Sequence, residues 1–334
     1  MPLDPQVAAY YGDSLNTLPD MSAVTVEGTR QAVDAVYNDK AQSPAVYSVQ
    51  DKSIPCPWGE MPIRVYRPDA LTGHGALLYF HGGGFVIHNI ASHDSICRKL
   101  CRDAGVVVLN VGYRLAPEAP FPAAPEDAYR ALCWVYENAM ALGIDGSRLA
   151  VMGDSAGASL SAVAAQLTRD RKGPPLRLQI LCYAPTGALE LRETQSLKDF
   201  GHGGYVLSQP QLDWFYEQYL SKGADPDDIR LNPGRAKDLS GLAPALCYTA
   251  EFDPLRDDGE AYAALLSQAG TPVKLRRVSG MMHGFLMLWE RFDTGRATLE
   301  EIAGELKACA DIIAQTDRRM QAIIHFAKRS RSAS

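Results

Sequence analysis

Gly153-Asp154-Ser155-Ala156-Gly157 sets a serine between two glycines, after the apolar run Leu149-Ala150-Val151-Met152 and before the helix-favouring stretch Ala158–Gln166. A G-x-S-x-G pentapeptide at a strand-to-helix junction is the spacing of a nucleophile elbow, a sharp turn that exposes the serine hydroxyl at the end of a sheet. The glycines answer a crowding problem: a Cβ at either position would press on strand or helix, and the serine must accept a strained backbone. A hydroxyl is a weak nucleophile, so it needs a base and a third group that orients the base. The plainer alternative is a glycine-rich turn without chemistry, and the pentapeptide alone does not separate the two.

His81-Gly82-Gly83-Gly84-Phe85, directly after Ala76-Leu77-Leu78-Tyr79-Phe80, narrows the choice. Consecutive glycines let backbone N–H groups approach a substrate oxygen closely. Gly83 and Gly84 are therefore candidate oxyanion donors, with Ala156 as a third, and an HGGG loop is the form this feature takes in lipases and esterases. His81 reads as a residue that holds this loop by hydrogen bonding, because the base should come late in the chain. The acid and the base follow the serine in that order. Asp253, after the strand-like Ala245–Thr249, and His283, after Val273–Val278, meet this requirement. Asp253 also suits a helix N-cap with Pro254 at the first helical position, and the two roles are compatible. Asp257 and Asp258 read as partners of that helix's dipole. In this reading Ser155 attacks a carbonyl carbon, His283 takes its proton, and Asp253 fixes the imidazole tautomer. His74, His88, His93, His202 and His325 read as surface residues.

The elements that must position these groups alternate from about residue 46 onward. Strands are expected at Val46–Ser53, Ile63–Arg67, Ala76–Phe80, Val106–Val111, Leu149–Gly153, Leu178–Tyr183, Ala245–Thr249 and Val273–Val278. Helices are expected near Ser92–Ala104, Pro122–Ala141, Ala156–Lys172 and Pro254–Ala269. Near-continuous apolar strands separated by helices predict an α/β fold with a mostly parallel sheet covered on both faces. The first two or three strands are joined too tightly for crossover helices and are expected to be antiparallel. Two regions break the alternation: residues 1–45, with a helix-like stretch at Thr29–Asp39, and residues 186–240, with an amphipathic helix at Ser208–Leu220. Both are expected to form a helical cap over the C-terminal edge of the sheet, flanking core segments 46–185 and 241–315. Leu207, Trp214, Phe215 and Leu286 are candidate pocket walls. Residues 316–334 form a basic tail with no assigned role.

The 334 residues are 46% hydrophobic and 22% charged, with a net charge of −6, which opposes a general nucleic-acid or anionic-membrane binder. No apolar run approaches the ~20 residues of a bilayer span. The first residues lack the basic and apolar segments of a secretory signal. Seven cysteines without metal-type spacing, with Cys97 and Cys101 read as half-buried, suit a reducing, cytoplasmic setting. No metal or cofactor is expected.

Together, four blocks in order make the chain resemble the bacterial hormone-sensitive-lipase-like (family IV) carboxylesterases of the α/β-hydrolase fold, from about residue 45 to 315. The blocks are His81–Gly84; Tyr113-Arg114-Leu115-Ala116-Pro117-Glu118 with Phe121-Pro122-Ala123; Gly153–Gly157; and Asp253-Pro254-Leu255-Arg256-Asp257 followed by His283-Gly284-Phe285. The chain departs from many relatives at Ala119 and Phe252, where they carry His and Tyr. The resemblance implies an eight-stranded sheet, a cap built from the two irregular regions, and a triad of Ser155, Asp253 and His283. It also implies oxyanion donors at Gly83, Gly84 and Ala156, hydrolysis of short- to medium-chain esters without a cofactor, cytoplasmic residence, and pairing of two copies through the last sheet edge. Two alternatives remain: an amidase or formamidase using the same triad, and a non-catalytic small-molecule receptor of the same fold.

Overall fold

The computed structural model describes residues 2–12, 23–37, 43–220 and 223–310. Eight strands form one sheet: β1 Ser48–Cys56, β2 Gly59–Arg67, β3 His74–Phe80, β4 Val107–Val111, β5 Ile144–Asp154, β6 Leu176–Cys182, β7 Ala245–Phe252 and β8 Val273–Met282. They lie in the order β1-β2-β4-β3-β5-β6-β7-β8. β1 and β2 form an antiparallel hairpin and β2 is antiparallel to β4. Every later pairing is parallel, beginning with β3 on β4 and on β5. The third strand thus departs from its antiparallel expectation, because the chain leaving it crosses back through a helix, α3 (Asp94–Ala104).

Period-two alternation in the strands divides the core between the two faces of the sheet. Leu77 and Tyr79 of β3, with Ala150 and Met152 of β5, face α3 and a helix over residues 293–310. Ala76, Leu78 and Phe80, with Leu149 and Val151, face α4 (Ala123–Glu137) and α5 (Ala156–Asp170). Farther along the sheet, Tyr262, Ala263 and Leu266 of α8 (Arg256–Gln268) pack against α5 and β7. Small residues on α5, from Ala156 to Ala165, are buried and bring that helix close to the sheet.

β7 and β8 run past their predicted ends at Thr249 and Val278. Glu251 and Gly280 interrupt the apolar pattern, yet the Gly280 N–H donates to Glu251 Oε2 at 2.8 Å and keeps the two strands joined. Their true ends deliver Asp253 and His283 directly to the edge where β5 delivers Ser155.

In the two irregular regions lie α1 (Pro5–Tyr11) and α2 (Val26–Tyr37), then α6 (Gln195–Phe200) and α7 (Gln209–Tyr219). Arg30 of α2 is fixed to the body, donating to the carbonyls of Val86 (2.9 Å) and Ala116 (2.9 Å) and pairing with Glu118. The seven cysteines are free thiols; Cys97 and Cys101 are fully buried against the sheet, where half-burial was expected. The basic tail, residues 316–334, lies outside the described residues.

Candidate active site

Ser155 sits between the end of β5 and the start of α5 with φ 52° and ψ −124°, a conformation that costs an L-residue roughly 1–3 kcal/mol. Neighbours hold it there. Its N–H donates to the Cys182 carbonyl of β6 at 2.9 Å. A Cβ on Gly157 would stand 1.9 Å from the Phe80 carbonyl oxygen, and one on Gly153 2.1 Å from that of Gly157. Both glycines are therefore required by close approach, as the motif suggested.

Asp253 and His283 converge on this serine. His283 Nε2 lies 2.9 Å from Ser155 Oγ, and His283 Nδ1 lies 2.8 Å from Asp253 Oδ2. Asp253 is fully buried, and its other oxygen accepts the Leu255 N–H at 2.8 Å. That bond closes a turn just ahead of α8, which begins at Arg256 with Leu255 as its N-cap, so Asp253 is not the helix cap expected and Pro254 is not the first helical residue. Tyr183 packs edge-to-face on His283, with ring centroids 5.0 Å apart. Asp257 and Asp258 are in the first turn of α8. Asp258, however, is buried and accepts from the N–H groups of Gly187 and Leu189, both at 3.0 Å, holding that loop.

The glycine loop is held from behind by Asp154, a residue that sequence reasoning passed over. Its Oδ1 accepts from Tyr79 Oη (2.8 Å) and the Gly82 N–H (3.0 Å), and His93 Nε2 stands 3.1 Å away. Burial alone would raise this carboxyl's pKa; His93 and Tyr79 outweigh it and bring it down to about 2. His81 is buried beside them, its Nδ1 2.8 Å from the Gly82 carbonyl, which agrees with a loop-holding role. Burial, then His93, lowers its pKa to about 3, so the ring is neutral at ordinary pH. His93 is fully buried and His88 lines the cavity described next, so neither is the surface residue expected. The signal for Asp154 was an acidic residue directly after the apolar run Leu149–Gly153, a carboxylate that must find donors.

A cavity of about 250 Å³ opens in front of Ser155 and His283, with Gly83, Gly84 and Ala156 on its wall. Gly83 has φ 109° and Gly84 φ 58°. Ala156 is the first residue of α5, where the N–H has no acceptor within the helix. The remaining wall is largely apolar: Val33 and Tyr37 of α2, Leu207, Phe215 and Tyr219 on and before α7, and Met287. Trp214 and Leu286 do not line it. On α7, Trp214 is one residue, or about 100°, off the face carrying Phe215, and it packs into the core. Leu286 lies in a 3₁₀ turn that sends its neighbour Met287 to the cavity and buries Leu286 against the sheet. Among the described residues no helix is long and apolar enough to cross a membrane.

An eight-stranded, mostly parallel sheet with a serine elbow after its fifth strand defines the α/β-hydrolase fold. The family model described as alpha/beta hydrolase fold matches residues 77–287. A carboxylic ester hydrolase, LipN of Mycobacterium tuberculosis, is 47% identical over 78% of this chain and 70% of its own. The ethyl acetate hydrolase of Pseudomonas putida is 42% identical over 86% of this chain and 93% of its own. The solved hyperthermophilic esterase of the archaeon Pyrobaculum calidifontis superimposes with a TM-score of 0.88 at 38% identity, covering 93% of this chain and 99% of that one. The chain belongs to the hormone-sensitive-lipase-like branch of the α/β-hydrolase family, and it is a carboxylic ester hydrolase.

Proposed function

We propose that Ser155, His283 and Asp253 hydrolyse short- to medium-chain carboxylic esters through an acyl-serine intermediate. Ser155 Oγ bonds to the ester carbonyl carbon while its proton passes to His283 Nε2. The carbonyl electron pair moves onto oxygen, toward the N–H groups of Gly83, Gly84 and Ala156. As the carbonyl reforms, the C–O bond to the alcohol breaks and His283 returns the proton to the departing oxygen. Water then repeats the sequence on the acyl-serine, releasing the acid. Asp253 holds the imidazole in the required tautomer and stabilises its cation. The observation that carries this reading is the unbroken Ser155–His283–Asp253 series at 2.9 and 2.8 Å beside a cavity.

The cavity's modest size supports a short or medium acyl chain, and a relative is named for hydrolysing ethyl acetate. The described parts of residues 1–45 and 186–240 act as a cap, since α2 and α7 supply cavity wall. Seven free thiols favour a cytoplasmic location. β8 ends the sheet with Leu275 44% exposed, and a second copy pairs there.

The test is labelling by a fluorophosphonate with rates on p-nitrophenyl esters from acetate to laurate and on a matched anilide. The expected result is labelling of wild type but not of Ser155→Ala, with rates highest at or below about eight carbons. Labelling that survives Ser155→Ala, or an anilide faster than its ester, overturns the reading.

A further inference from the structure

Two anomalies coincide at His88. Its backbone is left-handed, with φ 68°, a conformation uncommon for residues other than glycine, though less so for Asn, Asp and His, and one that stores strain. Its side chain carries a buried nitrogen, Nδ1, that has no hydrogen-bond partner. Buried polar groups are nearly always paired, and the exceptions call for an explanation. Backbone strain clusters at ligand-contacting positions, and the buried, unpaired Nδ1 bears on which ring nitrogen carries the proton.

The surroundings leave the ring poised rather than consumed. Tyr37 and His93 pack edge-to-face on it, each with centroids 5.3 Å away, and give it no hydrogen bond. Burial, and then His93 and His81, hold its pKa well below the usual imidazole range, so it is uncharged. A neutral imidazole has one N–H and one lone pair. An unpaired lone pair is tolerated in the interior more readily than an unpaired N–H, which puts the lone pair on buried Nδ1 and the proton on Nε2. The ring lies next to the glycine loop: Cδ2, bonded to Nε2, is 2.9 Å from where a Cβ of Gly83 would sit. His88 also lines the cavity in which Ser155 and His283 stand.

We propose that His88 is a specificity-determining contact, a neutral N–H donor that selects esters carrying a second, uncharged oxygen acceptor near the reacting carbonyl. This rests on the hydrolase reading above. The class comprises ethers, ketones and further esters. On the largely apolar cavity wall, one donor makes a CH₂-to-O exchange favourable where the rest of the wall opposes it.

The test uses isosteric substrate pairs that differ by that exchange. For the acyl side the pair is p-nitrophenyl methoxyacetate against p-nitrophenyl butyrate. For the alcohol side it is 2-methoxyethyl acetate against butyl acetate. The quantity read is the kcat/KM ratio within each pair, compared between wild type and variant, so the ether's intrinsic reactivity cancels. His88→Gly removes the ring and suits the left-handed backbone, and His88→Gln keeps an N–H at the end of its side chain. In His88→Gly one of the two ratios is expected to fall about 5-fold, the effect of losing one neutral hydrogen bond, with recovery in His88→Gln. The pair that responds shows whether the second oxygen belongs to the acid or the alcohol. Ratios within about twofold of wild type in both pairs overturn the proposal, as does a fall that His88→Gln does not recover. If wild type hydrolyses neither member of any pair, it is the hydrolase reading that fails.

Discussion

Replacing Asp154 by Asn removes a charge from the group that fixes the glycine loop while leaving its shape. Oδ1 is the acceptor for Tyr79 and Gly82 and faces His93, and an asparagine oxygen can occupy the same place. The substitution therefore isolates the charge. In the folded chain the carboxyl titrates near 2, against 3.8 in a free aspartate, despite complete burial. A depressed folded pKa means that the ionised form favours folding. The contribution is full above about pH 4 to 5 and is lost as pH falls through about 2. The difference corresponds to about 2 kcal/mol at pH 7, falling to about 1 kcal/mol at pH 3. Urea unfolding of wild type and Asp154→Asn at both pH values measures it directly. Asp154→Asn should be less stable by about 2 kcal/mol at pH 7, with the gap about halved at pH 3. A gap below about 0.5 kcal/mol at pH 7, or one that does not change with pH, refutes the reasoning and leaves Asp154 with only the value of a neutral acceptor.

Asp253→Asn should retain the fold but lower kcat on p-nitrophenyl butyrate by about 10⁴-fold, because the amide favours the wrong imidazole tautomer; a loss under tenfold removes Asp253 from the triad. At Gly84 a Cβ would meet the Phe215 ring 2.3 Å away, on a left-handed backbone. Gly84→Ala should cost about 10²-fold in kcat by displacing the N–H proposed as an oxyanion donor. Adding Phe215→Ala to Gly84→Ala should recover part of that loss, and a double variant no faster than the single would show that the ring is not the obstacle.

Much of this centre was legible in the sequence because backbone crowding is written in residue types. Gly153 and Gly157 leave no other choice at the elbow, and the order serine, aspartate, histidine follows from strand order. The strands were found as apolar runs, with errors at the ends where Glu251 and Gly280 interrupt the pattern. Side chains brought in by distant loops were harder to place. Trp214 and Phe215 are adjacent on one helix, and composition cannot tell which of them turns to the cavity. His88 and His93 read as surface residues because burial here comes from tertiary packing around Asp154 and α2, to which local sequence carries no pointer. Leu286 was misplaced for a similar reason, since a single 3₁₀ turn decides whether it or Met287 faces the cavity.

Ser155, His283 and Asp253 each stand at the tip of a different strand, with β6 wedged between the first and the other two. None of these tips is fixed by local contacts alone. His283 directly follows β8, one of the sheet's two edge strands, whose neighbour within the chain is β7. Turnover thus depends on the last strand of the sheet: a change that shifts the tip of β8 away from Ser155 silences the enzyme while the interior stays intact.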